Sequence, residues 1–83
     1  MWKYTVKVDG MMCGMCESHV NDIVRKNFPI KKVASSHSKS QTVVETEEEL
    51  NEDLLRKAIT DLGYTVSGIQ KEEFHKKKWF GRG

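Results

Sequence analysis

Apolar residues change period twice along this chain, and each change marks a strand giving way to a helix. Trp2, Tyr4, Val6 and Val8 alternate with Lys3, Thr5 and Lys7, as in a strand with one face buried. Asp9-Gly10 breaks that run. From residue 14 to 27 the apolar positions Cys16, Val20, Ile23 and Val24 recur at helical spacing, while Glu17, Ser18, Asn21, Asp22 and Arg25 lie off the stripe. Phe28-Pro29 ends the helix, because proline disfavours helical geometry in the residue before it.

The second half repeats the sequence of periods. Ile30 to Ser36 and Thr42 to Thr46 read as a hairpin turning at Ser38-Lys39-Ser40, followed by a solvated Glu47-Glu48-Glu49 link. Asn51 suits an N-cap, with Glu52 and Asp53 well placed at the positive end of a helix. Leu55, Ala58, Ile59 and Leu62 give the buried stripe of that helix, Gly63 its stop, and Tyr64 to Ile69 a last strand. Two β-α-β halves predict an α+β, ferredoxin-like sandwich, with two helices on one face of a four-stranded antiparallel sheet. Residues 1–70 are expected to form the domain. Residues 71–83 are expected to be a basic, aromatic-containing and disordered tail.

Size and charge exclude other classes. The 83 residues suit one domain, and such a chain buries only about 60–65% of the surface that its unfolded form exposes. No apolar run approaches the roughly 18 residues of a membrane span. The alternating N-terminus is unlike a signal peptide, so a cytoplasmic location is expected. Of the net charge of +2, residues 71–83 hold +3 and residues 1–70 hold −1. With the surplus in a tail and no basic face on the domain, nucleic acid is not an expected partner.

The two cysteines, Cys13 and Cys16, are two residues apart, a spacing that in a chain with no export signal points to redox or metal chemistry. They fall where a strand passes into a helix. Helix N-termini favour anions, and a thiol there loses its proton more readily. Two thiolates on one turn can converge on one ion, and their softness suits Cu(I), with Zn(II), Cd(II) and Hg(II) as alternatives. Cu(I) is content with two ligands, whereas structural zinc wants four. His19 is the one nearby candidate for a third ligand. His37 and His75 rank below it.

In this setting Gly10-Met11-Met12-Cys13-Gly14-Met15-Cys16 resembles the Met-x-Cys-x-x-Cys signature of heavy-metal-associated (HMA) domains. That family includes copper chaperones, metal-binding domains of P-type ATPases and mercury-binding periplasmic proteins. The resemblance covers about residues 3–70, taking in Val20, Ile23-Val24, Leu55, Ala58-Ile59, Leu62-Gly63-Tyr64 and Val66. It implies that Cys13 and Cys16 bind the metal. It also implies that Met11 tucks into the core beneath the loop, and that Tyr64 matches the loop tyrosine of bacterial copper chaperones. Met12 and Met15 are expected to pack or lie exposed, not to ligate. Zinc- and cadmium-exporting relatives often carry a carboxylate where Met12 stands, so the choice tilts toward copper.

The expected function is that of a Cu(I) chaperone and not an enzyme. It would pass its ion to a P-type ATPase or another cysteine-bearing acceptor. The chain is expected to be a monomer whose exposed dithiolate can share one ion between two copies. The rival reading is a thiol-disulfide oxidoreductase of thioredoxin or glutaredoxin type. Those folds set a proline-led strand opposite their cysteines, whereas the single proline here, Pro29, follows the first helix. A metal sensor without a transfer role is a third reading. The sequence departs from the HMA pattern at Met12, where threonine is usual, and at Val33-Ala34-Ser35-Ser36-His37, where valines usually alternate. Phe74, Trp79 and Phe80 among the tail lysines raise a membrane- or partner-docking reading, set below that of a disordered end.

Overall fold

Each strand buries alternate residues, and the register decides which. The computed structural model describes residues 1–73, in the order β1 (Trp2–Asp9), α1 (Gly14–Asn27), β2 (Lys32–Ser36), β3 (Gln41–Thr46), α2 (Glu52–Thr60) and β4 (Thr65–Glu73). The strands form one antiparallel sheet in the order β2-β3-β1-β4. This is the expected ferredoxin-like arrangement. Val33, Val44 and Tyr4 form one row across three strands, and Ser35, Thr42 and Val6 the next. Helix residues Val20, Val24, Leu55 and Ile59 close over these rows, and all four are fully buried. Each such aliphatic side chain contributes about 1.5–3 kcal/mol relative to an exposed one.

Buried polar groups in the core are paired. Ser35 Oγ donates to Asn21 Oδ1 of α1 at 2.7 Å and lies 2.8 Å from Thr42 Oγ1, joining three elements through one short chain. Here serine replaces an aliphatic residue of the usual second strand, and Asn21 supplies the partner that it needs. Tyr4 is fully buried, and its hydroxyl accepts from the Leu50 N–H at 2.8 Å and donates to the Leu50 carbonyl at 3.2 Å. That contact fixes the link ahead of α2, whose N-cap Asn51 accepts from Asp53 and Leu54 N–H at 2.9 and 3.2 Å.

Three sequence expectations shift. β2 begins at Lys32 and not at Ile30, because Phe28-Pro29 is followed by a turn in which the Ile30 N–H bonds the Phe28 carbonyl. α2 ends at Thr60, so Leu62 enters the closing turn before Gly63 (φ +102°) and stays 39% exposed. β4 runs on to Glu73 and pairs along β1 as far as Trp2, so residues 71–73 belong to the sheet. The remainder of the expected tail, with its docking reading, lies outside the described residues.

Between Lys7 and Val8 the β1–β4 register slips by one residue, so that Val8 faces Val66 and Ser67 is left over. Such a bulge bends a strand and re-aims the residues beyond it. It sits immediately before the loop that carries the cysteines. Among the described residues, no helix is long and apolar enough to cross a membrane.

Candidate metal centre

The loop from Gly10 to Cys13 joins the end of β1 to the start of α1. Gly10 takes φ +109°, and a Cβ there would lie 3.2 Å from the Tyr64 ring. Only glycine combines that conformation with so close an approach. Met11 turns inward and is 7% exposed within the hydrophobic core, which pins the loop from beneath. Met12 is 81% exposed and Met15 69%, so both stand in solvent beside the cysteines.

Cys13 occupies the N-cap position of α1 in extended conformation, and its carbonyl accepts from the N–H groups of Cys16 (3.1 Å) and Glu17 (3.3 Å). One turn of helix therefore brings the two side chains to the same side. Both thiols are free, Cys13 exposed and Cys16 half-buried. The Cys16 thiol is lowered from an ordinary 9.0 to about 7. The main cause is hydrogen bonding from the Met12 backbone, followed by the Tyr64 hydroxyl; partial burial opposes them, and the Cys13 N–H and thiol add smaller help. The donors thus come from the preceding loop and from across the site. Cys16 therefore gives up its proton more readily near neutral pH than an ordinary cysteine.

Tyr64 is half-buried against the core, just before β4. Its hydroxyl is raised above its ordinary value, first by the bond to Cys16 and then by burial and the two cysteines' negative charge. The structure thus brings Cys13, Cys16, Met11 and Tyr64 together around one loop. It does not bring in His19. That side chain is exposed on α1 beside Asp22 and Leu62, and among the described residues no three His, Cys, Asp or Glu side chains gather as a ligand set. Pro29 stands at the far end of α1, about 20 Å of helix away from the cysteines.

Two participants escape sequence reasoning. In the sequence Gly10 is only a strand breaker, whereas its contact with Tyr64 joins residues far apart in the chain. Glu17 likewise lies off the apolar stripe and carries no signal of its own. Its carboxylate accepts from the His37 N–H at 2.8 Å and lies 2.6 Å from His37 Nδ1, tying the β2–β3 turn to the first turn of α1. This pairing holds the Glu17 carboxyl below its ordinary value, the backbone N–H contributing most.

Known structures share this architecture. The CopZ metallochaperone superposes with a TM-score of 0.71 at 25% identity, over 77% of this chain and 97% of that one. By fold and by its Met-x-Cys-x-x-Cys loop the chain resembles heavy-metal-associated domains. The yeast copper transporter domain Ccc2a shares the HMA fold at a TM-score of 0.72 and 20% identity, over 88% of this chain and 97% of that one. The N-terminal domain of ZntA, in its Zn(II) form, does so at 0.71 and 23%, over 90% and 97%. Among curated sequences, a mercuric reductase of Lysinibacillus sphaericus is 30% identical over 71 residues, 86% of this chain. This chain spans 13% of that protein's length. No protein-family model matches the sequence.

Proposed function

We propose that this domain carries a soft metal ion, Cu(I) foremost, on the thiolates of Cys13 and Cys16 and passes it to a protein that bears its own cysteines. The observation that carries the reading is the donor set. Two free thiols share one helix turn, and among the described residues no His, Cys, Asp or Glu cluster completes a larger shell. Thiolates suit Cu(I), which accepts two ligands, and the exposed Met12 replaces the carboxylate that would favour zinc. Met11 would hold the loop from below. Tyr64 would stabilise the Cys16 thiolate before the ion arrives and shield one side of it afterwards.

Transfer depends on exposure. Cys13 lies at the surface, so an incoming thiolate can reach the ion there and form a three-coordinate intermediate. Cys13 or Cys16 then leaves, and the ion moves over in steps without ever being free. The process is ligand exchange between proteins, with no substrate turned over. The metal-binding domain of a P-type ATPase, on the cytoplasmic side of a membrane, is the kind of acceptor that suits it. The resemblance to a mercuric reductase favours Hg(II) as a second reading, since Hg(II) also accepts two thiolates.

The test is handover itself. The Cu(I)-loaded chain is mixed anaerobically with a metal-free domain carrying its own Cys-x-x-Cys. A transfer rate that rises with acceptor concentration is expected. A rate fixed by dissociation alone, whatever the acceptor concentration, would overturn the transfer role.

A further inference from the structure

A second surface feature lies between the helices, outside the cysteine loop. Ile23 and Phe28 on one side and Leu54, Ala58 and Leu62 on the other line a groove of about 550 Å³. Leu54 and Leu62 are 55% and 39% exposed, and the other exposed large hydrophobics of the described residues, Met12 and Met15, belong to the cysteine loop. A groove with two such leucines on its rim is built to be covered.

We propose that its occupant is residues 74–83 of the same chain. The starting point favours this. β4 delivers the chain to Glu73 opposite Trp2, and two residues earlier the Lys71 ammonium meets Glu49, just ahead of the α2 N-cap Asn51. The segment therefore begins beside the Leu54 end of the groove. Length favours it as well. Ten residues reach up to about 33 Å when extended, whereas the nine residues of α2 span about 14 Å, so the segment can turn back and run along the groove.

Composition supplies the fit. Phe74, Trp79 and Phe80 are the apolar side chains that the groove lacks. Lys76, Lys77 and Lys78 lie between them; the start of α2 and the link before it, ahead of Leu54, carry the exposed carboxylates Glu48, Glu52 and Asp53, while the groove lining itself balances Lys57 with Asp61. Opposite charges at the mouth would set the direction of entry, and aromatic burial would hold the segment. Residues 1–73 carry a net charge of −2 and residues 74–83 one of +4, which gives the pairing its complementarity.

Nuclear Overhauser contacts in the full, reduced, metal-free chain test the proposal. Contacts from the Trp79 indole to the methyls of Leu54 and Leu62 are expected. They should survive dilution and be absent from an isotope-filtered spectrum of mixed labelled and unlabelled chains. W79A/F80A should shift the groove methyls and leave the Tyr4 and Ile59 signals in place. Leu54→Lys should move Trp79 emission toward that of a free peptide of residues 74–83. Contacts seen only between chains would assign the groove to a second copy and overturn the proposal. So would contacts that arise only with anionic vesicles, or Trp79 emission matching the free peptide in the unaltered chain.

Discussion

The Tyr64 hydroxyl faces the Cys16 thiol across the cysteine loop, and the pair lowers the cysteine and raises the tyrosine. Tyr64→Phe should therefore raise the Cys16 pKa from about 7 toward its ordinary 9.0, stopping short because the Met12 backbone still donates. Thiolate absorbance against pH, in the reduced metal-free chain, checks this. The same pairing makes stability depend on pH. A group whose folded pKa is lowered stabilises the fold fully above its unfolded value, and that contribution is lost as pH falls through the folded one. The unaltered chain should thus gain on Tyr64→Phe between about pH 7 and pH 9, and not below.

Gly10→Ala should destabilise the domain and disturb the loop together. The residue would have to hold φ +109° with its Cβ 3.2 Å from the Tyr64 ring. Strain of this kind costs about 1–3 kcal/mol. Denaturant unfolding should show a lower midpoint at unchanged slope. The Cys16 pKa should rise in the same variant, because the ring that carries the hydroxyl is displaced.

The cost of Glu17→Gln should be present at neutral pH and lost in acid. The Glu17 carboxyl is held below its ordinary 4.5 by the His37 N–H and ring. Its contribution is full above pH 4.5 and is lost as pH falls through the lowered folded value. Thermal melts should show the unaltered chain ahead of the variant at neutral pH and the gap closing in acid. A gap that widened on acidification would contradict the pairing.

Tyr4→Phe removes a hydroxyl that both donates to and accepts from Leu50. The loss leaves a partly buried N–H and carbonyl without that partner, a cost of about 1–3 kcal/mol. Equilibrium unfolding checks the magnitude. Metal binding at the other end of the sheet should be unchanged.

Alternation and helical spacing are enough to place β1, α1, the Asn51 cap and the inward positions Tyr4, Val6, Val8, Leu55 and Ile59. What the sequence hides has physical reasons. Lys71 occupies an inward-row position opposite Tyr4, with its ammonium 4.9 Å over the Trp2 ring and in contact with Glu49. A strand whose inward residue is a lysine gives no apolar signal, so in the sequence β4 ends at Ile69. Leu62 has helical spacing, but α2 closes before it and leaves it on the groove rim. The chain around Cys13 and Cys16 is legible because strand, loop and helix are contiguous. The contacts of Tyr64 with Gly10 and of Glu17 with His37 are not, because the fold alone brings those residues together.

The dithiolate assignment is tested most directly by anaerobic titration of the reduced chain with Cu(I), Hg(II) and Zn(II) against chelators of known affinity, alongside Cys13→Ser and Cys16→Ser. One Cu(I) per chain is expected, bound far more tightly than zinc and lost when either cysteine is replaced. Copper bound no more tightly than zinc, or retained at full affinity when either cysteine is replaced, would contradict a Cu(I) site on Cys13 and Cys16.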